Sequence, residues 1–315
     1  MDNELKEFKH YTVMKHEAVD ALDCKSGLVY VDCTLGGGGH SELILQKIAP
    51  NGKLFAFDID DEAINYAKQR LKNYKNLTII RDSYTNIKTA LKAYEIEKIT
   101  GGVLLDLGAS YHQLTKQERG FSFLKDAPLD MRFDMNSDFS AYDVVNFYKE
   151  DELVKIFSEY GEERFSKRIA KAIIEKRRIS PIKTTCELSD LIKSSTPNIK
   201  SSIHPATRVF QAIRIEVNNE LKNVKNVLTD VLDLLDYGAI ISVISFHSLE
   251  DRIVKRFFKY EAQSCRCNHP ICTCQPPRIE LINKKPIIAS EEEIKENPPS
   301  RSAKLRIAKC IKKQG

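Results

Sequence analysis

A run of glycines and two carboxylates are the residues of this chain best placed to do chemistry. Gly36, Gly37, Gly38 and Gly39 follow the apolar run of residues 28–33, and His40 comes directly after them. Backbone without side chains turns sharply there and approaches a bound molecule closely, while the helix that follows opens with unpaired N–H groups. A nucleotide-like cofactor is the expectation. Asp58 ends the next apolar run, roughly 20 residues on, where an acid accepts hydrogen bonds from ribose hydroxyls. The dinucleotide fingerprint needs a small third residue, but reading from Gly36 or Gly37 puts Ser41 or Glu42 in that place. No Gly-Lys-Ser/Thr triplet follows the glycines to cradle phosphates. S-adenosylmethionine, with a ribose and no phosphate, therefore fits better than a diphosphate. Asp106 ends another apolar run and precedes the small residues Gly108, Ala109 and Ser110, so a substrate edge can come close. The plainer reading of Asp106 is a cap on the next turn.

These residues need elements that bring them to one edge. Apolar runs at 28–33, 53–58, 77–81 and 102–107 alternate with helical periodicities beginning near Ser41 and Glu62, a βα rhythm that predicts a parallel sheet. After residue 107 the rhythm stops for roughly a hundred residues of polar, helical sequence, then resumes with a strand at 239–246. A helix over 216–235 returns the chain to the sheet, 289–299 reads as a Pro- and Glu-rich surface loop, and 302–311 as a final strand. The expected fold is α/β with an inserted all-helical domain: residues 1–112 and 211–315 form the core, and 113–210 the insertion. Ligands of open α/β sheets bind beyond the carboxyl ends of the strands. The polar clusters at 36–40, 106–113 and 245–252 should converge there.

Length and composition set bounds. At 315 residues and 42% hydrophobic content the chain can bury a large core, and its net charge of +5 is informative only where it clusters. The longest apolar run, 239–246, falls well short of the ~20 residues that span a bilayer, and no basic-then-apolar leader opens the sequence. A cytoplasmic protein with no membrane partner is expected. Its eight cysteines are then reduced thiols or metal ligands.

Charge does cluster in the insertion. Between Arg164 and Lys183 there are eight Lys or Arg and one acid, Glu175, a local charge of +7. Phe165, Ile169 and Ile173 recur at helical spacing in the same stretch, so the stripe faces a core and the charge faces away. Arg164, Lys167, Arg168, Lys171, Arg177 and Arg178, with Arg208 further on, are the expected RNA-contacting residues, since phosphate contacts supply much of the affinity for nucleic acid. A solvated basic face is the bland alternative. Cys265, Cys267, Cys272 and Cys274 offer four thiolates, enough for tetrahedral zinc, although C-x-C pairs are tighter than the usual knuckle and the segment also reads as a variable loop.

Seven strings occur in order: Cys33-Thr34-Leu35-Gly36-Gly37-Gly38-Gly39-His40-Ser41, the run from Leu104 to Ser110, Glu118-Arg119-Gly120-Phe121-Ser122-Phe123, Pro128-Leu129-Asp130-Met131-Arg132, Tyr160-Gly161-Glu162-Glu163-Arg164-Phe165, His204-Pro205-Ala206-Thr207-Arg208, and Ile244-Ser245-Phe246-His247-Ser248-Leu249-Glu250-Asp251-Arg252. Together they resemble the bacterial 16S ribosomal RNA cytosine N(4)-methyltransferase family, known as RsmH or MraW, over nearly the whole chain. Gly37 departs from it, standing where a bulkier residue often sits. The resemblance implies a class I (Rossmann-like) S-adenosylmethionine-dependent methyltransferase core, with a cytidine of the small-subunit decoding centre as acceptor. It further implies that Gly38, Gly39 and His40 line the methionine side of the cofactor, Asp58 holds the ribose, Tyr84 flanks the adenine, and Asp106 and Gln113 close the site.

Cytosine's exocyclic amine is a weak nucleophile, because its lone pair is delocalised into the ring. Positioning and an acceptor for the amine hydrogens are what an enzyme can supply. Asp106 is the first candidate acceptor, and the turn carrying Ser245 and His247 the second. His247 is read as a structural residue before a base, since the amine needs no deprotonation before attack. The chain has Asp-Leu-Gly-Ala-Ser where many amino methyltransferases carry Asp-Pro-Pro-Tyr, so an aromatic clamp must come from elsewhere, with Phe121 and Phe123 as candidates. A DNA amino methyltransferase and a non-catalytic RNA-binding assembly factor are the competing readings. Monomer and homodimer are both left open.

Overall fold

The computed structural model describes residues 12–109, 113, 116–197, 204–265 and 276–312. The chain divides into two units, Met1–Gly108 with Leu221–Gly315, and Ala109–Glu220. The helical unit is thus wider at both ends than the sequence span 113–210.

The first unit is built on one sheet of seven strands: β1 Val29–Asp32, β2 Lys53–Asp58, β3 Leu77–Arg81, β4 Gly102–Asp106, β5 Ile240–Ser245, β6 Ile279–Leu281 and β7 Lys304–Cys310. Their order is β3-β2-β1-β4-β5-β7-β6. The first five run parallel, whereas β7 lies antiparallel between β5 and β6. The strands that read as continuous apolar runs are buried on both faces, which removes the alternation of a half-exposed sheet. Along β4, Val103 and Leu105 join one core with Val31, Phe57 and Val243, while Leu104 faces the other with Tyr30, Leu54 and Ile244. Chain order reverses between β1 and β4, so the crevice of an open α/β sheet falls beyond their carboxyl ends.

Two expectations for this unit need correction. The helix over 216–235 is two helices, Thr207–Val217 and Glu220–Leu234. Asn219 adopts φ 51° at the break. Asn218 holds the break open by donating to the carbonyls of Met131 and Arg214 at 2.8 and 2.9 Å and accepting from the Phe133 N–H at 2.7 Å, so its side chain does what helical backbone would otherwise do. Nor is 289–299 a surface loop. Helix Glu291–Glu296 is capped by the Ser290 hydroxyl, Ala289 and Asn297 are buried, and Glu293 Oε1 accepts from the Met14 N–H at 2.8 Å. Serine followed three residues later by glutamate is a helix-start signal outweighed by the local prolines and acids. The three-residue β6 carried too little sequence to be seen.

The second unit is helical. Ala141–Phe147, Glu150–Glu159, Ser166–Ile179, Thr185–Ser195 and Thr207–Val217 enclose a core that includes Phe157, Ile169, Ile173, Leu188, Phe210 and Ile213. Asn146 substitutes for a strand neighbour, donating to the Ile182 carbonyl at 2.8 Å and accepting from its N–H at 2.9 Å.

On helix Ser166–Ile179, Ile169, Ala170 and Ile173 are buried, while Lys167, Arg168, Lys171 and Arg178 are exposed. Arg177 belongs to neither face in the expected way. Its guanidinium donates to the carbonyls of Val145 at 2.7 Å and Tyr148 at 2.5 Å, tying the end of helix Ala141–Phe147 to this one. Arg177→Ala should therefore leave two carbonyls without that donor and destabilise the unit by about 2 kcal/mol, whereas Arg178→Glu should change stability by about 0.5 kcal/mol or less. Thermal melts of the two variants at matched salt check this, and equal melting temperatures would refute it.

Candidate active site

The carboxyl edge of β1 is organised by an acid that sequence reasoning passed over. Asp32, fully buried at the strand end, accepts from the Thr34 N–H at 3.0 Å and from the Ser41 hydroxyl at 2.7 Å. It thereby ties the strand to helix Gly39–Ile48 across the glycines. Burial pushes its pKa up, opposed by the hydrogen bonds from Ser41 and Thr34. An acid closing an apolar strand with small residues just beyond it was the signal that singled out Asp106, and it applied equally to Asp32, which precedes the glycine run.

The glycines make a close turn. Gly36 and Gly38 sit at φ 48° and 77°, left-handed conformations that a side chain would strain. A Cβ on Gly39 would lie 1.8 Å from Thr12 Oγ1, so the backbone is pressed against its neighbour. Arg70 braces the loop from outside, donating to the Gly37 carbonyl at 3.1 Å and pairing with Glu42 at 2.7 Å. Helix Gly39–Ile48 has Gly38 as its N-cap and no side-chain cap, which leaves the first-turn amides without a capping oxygen.

Asp58 joins the glycine turn to the β2 loop. One oxygen accepts from the Gly36 N–H at 2.8 Å, the other from the N–H groups of Ile59 and Asp60 at 2.8 and 2.9 Å. Burial raises its pKa to about 6 against the pull of these bonds. A carboxylate has about four lone-pair positions, so one remains for a ribose hydroxyl.

Asp106 closes β4 with its main-chain N–H bonded to Thr34 Oγ1 at 2.7 Å. Its Oδ1 is buried and makes no hydrogen bond among the described residues, and its Oδ2 lies 3.8 Å from His40 Nδ1. His40 is itself buried, with Nε2 3.0 Å from the Val13 carbonyl; that contact puts the ring proton on Nε2 and turns Nδ1 toward Asp106. Burial, and then repulsion from Asp32, Glu250 and Glu293, hold the Asp106 carboxyl well above the usual range. The edge is a dense group of acids whose combined field favours a cation.

The turn after β5 behaves structurally. The Ser245 hydroxyl donates to the Lys304 carbonyl at 3.4 Å, inside the sheet. His247 caps helix Ser248–Glu261: its Nδ1 accepts from the Glu250 N–H at 3.4 Å, while Glu250 Oε2 accepts from the Phe246 and His247 N–H groups at 2.9 and 3.3 Å. His247 Nε2 faces Glu250 Oε1 at 3.2 Å. Both side chains are thus engaged in positioning the turn, and Glu250, 1% exposed, is the acid that sequence reasoning missed there. His247 followed three residues later by Glu250 was its visible cue.

Tyr84 begins a short turn, Tyr84–Asn86, and is half-buried against the core. Gln113, buried, belongs to the helical unit. So do the proposed clamp residues: Phe121 stacks on Phe133 at 5.6 Å, and Phe123 on His204 at 4.7 Å. Arg164 and Arg208 are exposed, Arg208 donating to the Glu162 carbonyl at 3.3 Å. Cys265 is exposed; Cys267, Cys272 and Cys274, and with them the expected zinc site, lie outside the described residues. No helix among the described residues is long and apolar enough to cross a membrane.

A mostly parallel sheet with a switch point at β1 and β4, a glycine turn after β1 and an acid ending β4 define a Rossmann-like core. The chain belongs to the MraW methylase family, whose sequence model matches residues 7–311. It is 52% identical over 307 residues to the ribosomal RNA small subunit methyltransferase H of Caldicellulosiruptor bescii, covering 96% of this chain and 100% of that one. The protein of the same name from Clostridioides difficile is 50% identical over 311 residues, with 97% and 100% covered. That from Clostridium botulinum (strain Loch Maree / Type A3) is 49% identical over 309 residues with the same coverage.

Proposed function

We propose that this protein transfers a methyl group from S-adenosylmethionine to the exocyclic N(4) amine of a cytidine in the decoding centre of 16S rRNA, in the cytoplasm. The observation that carries the reading is the buried Asp106 carboxylate, with one oxygen left without a hydrogen bond among the described residues, at the strand end beside the glycine turn. Several features fit the donor. The glycine turn admits a close approach, Asp58 keeps a lone pair for ribose, and the carboxylates about Asp106 favour a positive ligand over a diphosphate. When bound, S-adenosylmethionine supplies an electrophilic methyl on a sulfonium. Asp106 accepts a hydrogen bond from the target amine, which pulls electron density toward nitrogen, stabilises the charge that develops there, and takes the proton the amine gives up once its nitrogen is methylated. Thr34 holds the Asp106 backbone in place by accepting from its main-chain N–H. Ser245 and His247 keep the neighbouring turn in shape and take no proton in this scheme.

The exposed cations Arg164, Lys167, Arg168, Lys171, Arg178 and Arg208 supply phosphate contacts, with Arg177 removed from that set by its bonds to carbonyls. The insertion, residues 113–210 or the slightly larger Ala109–Glu220 unit, recognises the RNA, and the target base must be single-stranded or flipped out of its stack. Nucleoside mass spectrometry of small subunits from cells with and without the protein tests the reading, alongside transfer assays offering small subunits, naked 16S RNA and DNA. N(4)-methylcytidine should vanish from 16S rRNA with the protein and return with it. Unchanged 16S rRNA, or transfer to DNA alone, would overturn the proposal.

A further inference from the structure

A cleft of about 430 Å³ opens between helices Glu220–Leu234 and Ser248–Glu261 on the sheet unit. That size is in the range of roughly 300–1,000 Å³ typical of ligand clefts. Leu228, Ile253 and Phe257 contribute to an apolar floor. The rim carries Lys225, Arg252 and Arg256, all exposed, and among the described residues no acid lines the cleft. Arg252 and Arg256 stand one helical turn apart, so they follow one edge in register. Neither Lys225 nor Arg256 makes a side-chain hydrogen bond or ion pair among the described residues. Cations held over an apolar floor complement a partner that is anionic along one edge and apolar on the other.

We propose that this cleft binds a single-stranded segment of the RNA substrate, flanking the methylated base, with phosphates on Lys225, Arg252 and Arg256 and a base against Ile253 and Phe257. A duplex presents phosphates and sugars but keeps its base faces stacked inside, so it cannot fill an apolar floor; an unpaired nucleotide offers both surfaces at once. The cleft belongs to the sheet unit and the basic helix Ser166–Ile179 to the helical unit, so the cleft would give the RNA a second point of attachment. Two linked contacts raise affinity and fix orientation together. The inference rests on the RNA-methyltransferase reading above.

The test uses the full-length protein, its Lys225→Glu/Arg256→Glu double variant and Phe257→Leu, the last keeping an apolar packing residue while removing the ring. Probes are naked 16S RNA, intact small subunits, and an oligouridine carrying 4-thiouridine for cross-linking. The double variant should bind naked RNA at least tenfold more weakly with unchanged S-adenosylmethionine affinity. Its dependence of log K on log salt should be shallower by roughly 1.4, the loss of two phosphate contacts to a single strand. Phe257→Leu should lower cross-linking yield severalfold, and the wild-type cross-link should fall within residues 220–234 or 248–261. RNA affinity within twofold of wild type in the double variant would overturn the proposal, as would cross-links confined to the helical unit. So would loss of binding to intact subunits with naked-RNA binding preserved, which would assign the cleft to a protein partner. Wild-type methyl transfer is measured in the same preparations: if it proceeds while these variants bind normally, the cleft proposal alone fails, and if wild type neither binds nor methylates RNA, the function reading fails with it.

Discussion

Asp106→Asn should lower the rate of methyl transfer by roughly 10²–10³-fold at saturating donor, the loss expected when one preorganised electrostatic partner of a developing charge is removed. Asparagine keeps the shape and one acceptor oxygen but carries no charge. The same change should make the protein more stable near neutral pH. Burial and the neighbouring Asp32, Glu250 and Glu293 raise the Asp106 pKa in the folded protein well above 3.8. A group so raised contributes its full stability below its unfolded pKa, and that contribution is lost as pH rises through the folded value. Asparagine has no such loss. The melting-temperature difference between variant and wild type should therefore be near zero below pH 3.8 and grow as pH climbs through the raised pKa. Wild-type activity should fall on acidification at a pH above the ordinary carboxylate range. Calorimetric binding of S-adenosylmethionine separates catalysis from donor affinity. Full activity in Asp106→Asn would remove Asp106 from the chemistry, and a pH-independent stability difference would contradict the electrostatic account.

Gly120→Ala should be the most disruptive single methyl group in the helical unit. Gly120 sits at φ 67°, and a Cβ there would stand 2.2 Å from the Pro128 carbonyl oxygen and 3.0 Å from the Asp130 nitrogen. Both are backbone atoms, so no rotamer relieves the clash. The segment that must move is tied on every side: the Leu129 N–H donates to the Lys183 carbonyl at 3.1 Å, and the Ala141 and Tyr142 N–H groups donate to the carbonyls of Asp130 and Leu129, each at 2.7 Å. The left-handed conformation alone disfavours alanine by about 1 kcal/mol. With the displaced backbone added, a loss of about 4 kcal/mol or more is expected, or roughly 15 °C in the melting of this unit. Hydrogen exchange should accelerate across 116–197 while the sheet strands keep their protection. A melting shift of only a degree or two would show that the turn yields easily.

Much of the core was legible because both-face burial writes itself into sequence as uninterrupted apolar runs. Residues 53–58 and 77–81 coincide with β2 and β3, and 302–311 encloses β7. The edge chemistry was legible for a related reason: Asp58 and Asp106 interrupt those runs where a strand must end. What escaped notice depended on partners far along the chain. Helix Glu291–Glu296 looked like a loop because the group that anchors it, the Met14 N–H bonded to Glu293, lies far away in the chain. The break at Asn218 and Asn219 lies within good helical periodicity, and its cause is the distant backbone of Met131 and Phe133. Arg177 looked like one more cation in a basic run until the carbonyls of Val145 and Tyr148 claimed it.

By itself the sequence determined the parallel sheet, the family and the strand ends at which acids and glycines stand, since these follow from local runs of residue type and from long matching strings. Only the tertiary structure decided which of those polar groups are already satisfied. Ser245 and His247 turn inward to hold a turn, Asp58 divides itself among three amides, and Asp106 is left with a buried oxygen beside other acids. Whether a carboxylate is a brace or a reactive group is settled by desolvation and by charges brought near from other strands, and neither quantity exists until the chain has folded.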